Sequence, residues 1–246
     1  MSNEAPIIML DGYVLNDHFA IRDLKRPWPS VQPNTVQVSG RAGAVLRNME
    51  VGTRSVSFKL GATDEDHQKL AAMFRWILEL LAGDGTHVLS FSDEGGFLRH
   101  VVLDATPSYD EYVGGALVEL EFTMPDPYLI DSGETTITVP SGGSVQFRVT
   151  HSRPSIVISA ASAVRDSTSQ LWGIRFDDGD FLRVKIPTSS ATPVSFDCLE
   201  RRVVVGGATS MVTLTSDWPI LDAGFHTAQM DVGTGAATLT IKERCL

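Results

Sequence analysis

Short runs rich in Val, Ile, Thr and aromatic residues recur along the 246-residue chain between clusters of Gly, Pro, Asp and Ser. That rhythm predicts a mainly β protein. In the first half the predicted strands are Ile7–Leu10, Phe19–Leu24, Thr35–Ser39, Ser55–Leu60, Val88–Phe91, Leu98–Leu103 and Ala116–Thr123. The last alternates best. Val118, Leu120, Phe122 and Met124 make an apolar face, and Glu119 and Glu121 fall on the opposite, polar one. One stretch departs from this period of two. Leu70, Met73, Phe74, Ile77 and Leu81 recur at spacings of three and four, the stripe of an amphipathic helix. Thr63 is its expected N-cap, Asp64, Glu65 and Asp66 place negative charge at its N-terminus, and Gly83 stops it. Trp76 and Leu78 lie off the stripe, which leaves two readings for Trp76: additional core, or a contact with another subunit.

The pattern changes after Met124-Pro125-Asp126-Pro127-Tyr128, where two prolines forbid a central strand and Asp-Pro favours a turn. A domain boundary is expected near residues 128–134, dividing the chain into 1–130 and 131–246. The second part shows no helical stripe. Its predicted strands are Thr135–Val139, Ser144–Val149, Ser155–Ser159, Leu171–Phe176, Phe181–Ile186, Val194–Cys198, Val203–Val205, Met211–Leu214, Thr227–Asp231 and Ala237–Lys242. So many short strands joined by tight turns suit a two-sheet antiparallel sandwich. No fixed period repeats, which argues against a solenoid or propeller. The expected fold class is therefore mainly β with one amphipathic α-helix: an α+β first domain followed by an antiparallel β-sandwich.

Charge adds a constraint. The chain carries 20 Lys+Arg against 30 Asp+Glu, a net −10. Cut at 130/131, the first part has 10 basic and 18 acidic residues (−8) and the second 10 and 12 (−2). An acidic protein of this kind is not built to grip nucleic-acid phosphates. No apolar run approaches the ~18–20 residues of a membrane-spanning helix. Met1 to Pro6 lacks the basic start and apolar core of an export signal, so folding in a reducing cytosol is expected. Cys198 and Cys245 are too few for a disulfide framework and lack metal-ligand spacing; reduced thiols and a single disulfide both remain open.

Catalytic and metal motifs are missing. There is no Gly-Lys dipeptide for a phosphate loop, and the six His residues (18, 67, 87, 100, 151 and 226) are scattered singly. No Gly-x-Ser-x-Gly elbow occurs, although a triad assembled from scattered loops needs no sequence motif. Asp177-Asp178-Gly179-Asp180 could be read as a Ca²⁺ loop, but it lacks the later ligands and sits between two strands, where Asp-Gly makes a hairpin turn. No cofactor and no metal are expected. His151-Ser152-Arg153 and Trp218 are the residues a carbohydrate-binding sandwich would use, although the remaining polar positions of such a site have no match.

The order of features carries more than any one motif. Arg26-Pro27, the Val36–Gly43 segment ending in Gly40-Arg41-Ala42-Gly43, Arg54 opening a strand, the helix, Leu89–Asp93 and the exit Phe122–Tyr128 follow one another. The succession resembles the distal tail protein family of long-tailed (siphovirus) phages. In the second part Arg153–Ile158, Ser195–Cys198 with Val203–Gly206, and Trp218–Gly224 resemble that family's galectin-like carboxy-terminal domain. Cys245-Leu246 at the end has no counterpart in the pattern.

The resemblance implies a structural protein and no enzyme. It would be a hub at the distal end of the phage tail, assembled in the host cytoplasm, whose 1–130 domain forms a hexameric ring or stacked hexamers. The ring would join the tail tube and tape-measure proteins to the tail-tip or baseplate hub and receptor-binding proteins, with no membrane insertion and no specific nucleic-acid binding. Gly40, Arg41, Gly43, Asp126, Pro127 and Tyr128 are its family-motif positions. The alternative is a carbohydrate-binding β-sandwich accessory protein at the host surface. If DNA crosses the ring, an acidic wall would repel it, and Glu119 and Glu121 are the candidates for that wall; a merely solvated face is the other reading. Reversing both charges is expected to impair DNA passage, measured as infectivity of assembled particles, with tail assembly intact. Loss of assembly would instead assign the two glutamates to an interface.

Overall fold

In the computed structural model of the chain, residues 6–64, 66–83, 85–104, 107–177 and 179–246 are described. Three sequence features fall outside them: Met1–Ala5 of the segment read for an export signal, Glu65 before the helix, and Asp178 of the acidic turn. The chain forms two compact units, one running to Leu129 and the other spanning Ile130–Cys245.

The first unit is built from β1 (Ile8–Leu10), β2 (Tyr13–Val14), β3 (Ala20–Lys25), β4 (Val31–Gln37), β5 (Ala44–Val51), β6 (Arg54–Ala62), α1 (His67–Leu81), β7 (His87–Phe91), β8 (Phe97–Leu103), β9 (Ser108–Tyr112) and β10 (Gly115–Met124). An antiparallel sheet runs β2-β1-β7-β8-β10-β6-β3, with β9 added alongside β10. Its longest ladder is β6–β10, paired without a break from Ala62↔Ala116 to Arg54↔Met124. That register aligns Val56, Phe58 and Leu60 with Phe122, Leu120 and Val118, all buried, on one face of the pleat. From α1 the buried residues are Leu70, Phe74, Ile77 and Leu81. Phe74 meets the rings of Phe19 and Tyr109.

Two details differ from expectation here, and a third bears on Trp76. The N-cap of α1 is Asp66, not Thr63: Asp66 Oδ1 accepts the Gln68 N–H at 2.9 Å while Asp64 Oδ1 accepts the Asp66 N–H. A carboxylate capped this close to the helix start satisfies an orphan N–H and opposes the helix dipole at once. Trp76, left open by the sequence, makes ring contacts within its own unit, edge-on to Tyr13 and His18 and stacked on Phe19, while remaining only partly buried. Strands β5 and β9 escape the sequence pattern because nearly all their residues are exposed and mark no core face.

β11 (Leu129–Asp131) carries the chain into the second unit. There β12 (Thr135–Val139), β13 (Ser144–Val149), β14 (Ser155–Ala163), β15 (Leu171–Phe176), β16 (Phe181–Lys185), β17 (Thr192–Asp197), β18 (Arg202–Val205), β19 (Ala208–Ser210), β20 (Gly224–Val232) and β21 (Ala237–Lys242) are followed by β22 (Arg244–Cys245). They make a six-stranded sheet, β12-β21-β14-β17-β18-β19, and a four-stranded sheet, β13-β20-β15-β16. Every pair is antiparallel. Ile156, Ile158, Phe196, Leu239 and Ile241 from one sheet and Trp172, Ile174, Phe176, Leu182 and Val184 from the other belong to a single buried cluster. Trp172 stacks on Phe196 and donates its indole N–H to the Thr234 carbonyl, so the largest side chain of the core leaves no polar atom unsatisfied. The expected strand Met211–Leu214 does not form. The Gly206-Gly207 turn folds β19 back on β18 and pairing stops at Ser210, leaving Met211 and Leu214 exposed and only Val212 bridged to Val184.

Asp177 and Gly179 lie in the turn between β15 and β16, as expected of a hairpin, and Asp177 does more than turn the chain. Its Oδ2 lies 2.7 Å from His226 Nδ1, and its Oδ1 accepts the Thr227 N–H. The other imidazole nitrogen faces the Asp222 carbonyl at 2.7 Å. With an acceptor on each side, the imidazolium is the form that satisfies both contacts. Burial opposes that charge, but the bonds to Asp177 and Asp222 outweigh it and raise the His226 pKa; the imidazole likewise prevails over burial in lowering that of Asp177. A raised folded-state value means that His226 stabilises fully below its unfolded value of about 6.5 and ceases to do so as pH climbs through the folded one. Melting of the second unit is therefore expected to fall across that alkaline flank. His226→Gln should flatten the dependence, and calorimetry at a series of pH values checks both.

Candidate assembly interface

Among the described residues no three His, Cys, Asp or Glu side chains come together as a metal site, neither cysteine forms a disulfide, and no helix is long and apolar enough to cross a membrane. The feature that stands out is a surface.

β4 and β5 form a two-stranded hairpin of their own. All of β4 is exposed, and in β5 only Val51 is partly covered. Gly40 and Gly43 close the tip, both with positive φ (79° and 84°), which explains glycine at those two positions; the Arg41 N–H donates to the Val38 carbonyl between them. Register then sorts the side chains. Val31↔Val51, Pro33↔Met49 and Thr35↔Leu46 face one way, while Gln32↔Glu50 and Asn34↔Asn48 face the other. A shift of register between Asn34 and Thr35 leaves Arg47 as the extra residue and keeps Leu46 on the apolar side. The hairpin is thus amphipathic from its root to Leu46, and its apolar side there is bare: Val31 is 49%, Leu46 54% and Met49 56% exposed; nearer the tip Val36↔Val45, 46% and 40% exposed, lie on the same face as Gln32 and Asn34. A lone two-stranded ribbon is marginal in water, and a rimmed apolar strip of this kind marks a contact surface.

The root of the hairpin is held by residues far apart in sequence. Arg26, just before β4, donates to both carboxylate oxygens of Asp93 (2.8 and 2.7 Å) and to Glu94 (2.8 Å). Arg99, with no exposed side-chain surface, is paired with the same Glu94. Both guanidiniums lie over the Phe91 ring, at 4.8 and 4.7 Å from its centroid. Arg54, just after the hairpin, donates from Nε to the Pro27 carbonyl at 2.9 Å, and the Gly52 N–H donates to the Ser30 carbonyl. The two chains entering the ribbon are therefore tied to each other and to the β7–β8 connection. The hydrogen bond from Arg26 holds the Asp93 carboxyl below the usual range and raises the Arg26 pKa in turn. Arg26, Pro27, Arg54 and the Phe91–Asp93 segment appeared in the sequence only as separate motif fragments. Arg99 and Glu94 were missed, since a lone Arg in an apolar strand carries no motif.

The other singled-out positions lie elsewhere in the unit. Asp126 Oδ1 accepts the Tyr128 N–H at 3.2 Å, a turn closed by the aspartate, with Pro127 buried between them. Glu119 and Glu121 do share the outward face of β10, but the face is mixed in charge. Glu119 stands opposite Lys59, which is paired with Asp23 at 2.9 Å, and one strand further lies Arg22; the row of Glu121 passes through Ser57 to Lys25. In the second unit Trp218 packs against the buried core and is itself partly buried.

Comparison with known proteins places this geometry. Residues 11–124 match the phage tail protein RIFT-related domain. Over the full length, the fold is that of SPP1 Dit, described as a paradigm of the hub adsorption apparatus in phages that infect Gram-positive bacteria: TM-score 0.78, 18% identity, with 99% of this chain and 100% of that one covered. Chains of the phage p2 baseplate in its activated conformation, with Ca and with Sr, share it at TM-scores of 0.59 and 0.58 and 11% identity, covering 98% of this chain and 99% of theirs. No curated protein matches the chain by sequence. The first unit is thus similar to a phage tail domain, and the whole chain shares the fold of SPP1 Dit and of the p2 baseplate chains.

The root makes a specific demand on stability. Removing a buried cation leaves its carboxylate uncompensated, at a cost of about 3–5 kcal/mol. Arg99→Met is expected to lose most of that range, moderated by the bond Arg26 keeps to Glu94, whereas Arg26→Met should cost less and speed amide exchange at Trp28, Ser30 and residues 51–54. Urea unfolding and hydrogen exchange separate the two.

Proposed function

We propose that the chain is a structural hub protein at the distal end of a long-tailed phage tail, closing into a hexameric ring through its first unit. The ring joins the tail tube and the tape-measure protein to the tail-tip, baseplate and receptor-binding proteins, and DNA passes through its lumen. The observation that carries this reading is the amphipathic hairpin without a partner, rooted in a phage tail domain. Its apolar side needs a cover that the single chain does not supply, and a second copy of the same chain supplies it with rotational closure. The shared fold with SPP1 Dit and the p2 baseplate chains supports the hub role. In this role binding is complementarity of surfaces, and no catalytic group is called for. Glu119 and Glu121 remain candidates for a lumen wall, now as the acidic members of a mixed surface beside Arg22, Lys25 and Lys59.

Native mass spectrometry of the full chain is expected to show a species of about 160 kDa, six copies of 26.7 kDa, or its double. Leu46→Ser with Met49→Ser should dissociate it while moving the melting temperature of the single chain little, because exposed positions change stability by no more than about 0.5 kcal/mol. A wild type that stays monomeric at every concentration, or a double variant that assembles as well as wild type, would refute the ring through this surface.

A further inference from the structure

The second unit holds a pocket of about 220 Å³ lined by Arg153, Pro154, Cys198, Leu199, Arg201, Pro219, Ile220 and Arg244. No carboxylate is among these residues. Most other guanidiniums of the unit are committed: Arg175 and Arg183 to the buried Asp231, Arg165 to the carbonyls of Ile186 and Pro187, Arg148 over the Phe225 ring. Arg153 and Arg201 differ. Both are exposed, and among the described residues neither side chain has a hydrogen-bond or ion-pair partner.

Both also sit in the left-handed backbone region, at φ 62° and 50°. For a long side chain that conformation costs about 1–3 kcal/mol and persists only where the surroundings impose it. Here they do. The Arg153 N–H is fixed to the Leu221 carbonyl at 2.7 Å, and the residues leading to Arg201 are turned by Asp197, whose Oδ1 accepts the N–H groups of Leu199 and Glu200. Two separate turns therefore aim two free cations at one recess.

The chemistry of the recess selects its ligand. A carboxylate would neutralise one guanidinium and leave the other, whereas a phosphate monoester carries about −1.5 to −2 at neutral pH and offers oxygens to two forks. Between the arginines run apolar surfaces: Pro154, Pro219, Leu199 (43% exposed) and Ile220 (62% exposed). Burial pushes the Cys198 thiol up to about 12, so it stays neutral and adds no repelling charge. The volume lies below the ~300–1,000 Å³ of drug-sized sites, which limits the guest to a compact one. We propose that this pocket binds the phosphate group of a small organic phosphomonoester. Arg153 and Arg201 take the phosphate oxygens, and the proline, leucine and isoleucine wall takes the substituent.

Calorimetric titration of the full chain at low salt tests it, with phenyl phosphate and inorganic phosphate as probes. Phenyl phosphate is expected to bind at least about tenfold more tightly than inorganic phosphate, and Arg153→Gly and Arg201→Gly each to weaken it by about tenfold or more, the scale of a lost charged hydrogen bond. Because glycine adopts the left-handed conformation freely, both variants should melt at or above the wild-type temperature, which separates lost binding from lost fold. Arg202→Gln, outside the pocket, should bind as wild type. Four results would each overturn the proposal: no heat with phenyl phosphate up to about 10 mM, where binding would be too weak to be specific; glycine variants that bind normally; inorganic phosphate binding as tightly as the ester; or an equal loss in Arg202→Gln.

Discussion

A cation with no exposed surface, Arg99, sets the terms for the first unit. Its charge must be met inside the protein, and Glu94 meets it; Glu94 is also taken by Arg26, and both guanidiniums are laid on Phe91. Because one carboxylate and one ring serve two arginines from distant parts of the chain, the β7–β8 connection and the segment entering β4 cannot move independently. The ribbon beyond that segment has almost no packing of its own. Its direction is therefore inherited from the ion cluster and from the Arg54–Pro27 tie, and a surface otherwise free to swing leaves the unit from a fixed root.

The second unit follows a different logic. Its two sheets close on an apolar cluster with Trp172 at the centre, and its charged groups are arranged around the rim: Asp231 between two arginines, His226 between Asp177 and Asp222, and Glu243 accepting the backbone N–H groups of Thr150 and His151. Buried acceptors matched to more than one donor fix loops that would otherwise be loose. Against that economy, two unmatched arginines in strained backbone are out of character, which is why the Arg153–Arg201 pocket reads as a place for something from outside.

What could be read in the sequence was whatever the core writes into it. The even face of β10, the α1 stripe through Leu70, Phe74, Ile77 and Leu81, and the sandwich strands around Trp172 and Phe196 all follow a period that burial enforces. The hairpin was half legible. Its turn glycines were visible, and so was part of β4, but β5 obeys no core, and its alternation becomes meaningful only once Pro33 is known to oppose Met49. The root was legible as fragments whose meeting point depends on tertiary pairing. The helix cap was placed on the Thr63 hydroxyl and the acids after it were read only as N-terminal charge, whereas geometry gives the N–H of Gln68 to the Asp66 carboxylate. Met211–Leu214 looked like a strand by composition alone; two glycines upstream had already spent the pairing.

A ribbon with both edges open and one greasy side is also a hazard to any copy that has not yet found its neighbours. Two features restrain it: Pro33, which withholds a donor from one edge, and charge from Arg47 and Glu50 on the ribbon itself. In the ring proposed above, newly made chains would race between ordered closure and indiscriminate sticking, and the outcome would turn on how fast copies meet and how many are present. For such a protein the concentration at which it is produced is part of its design, as much as any residue that holds it together.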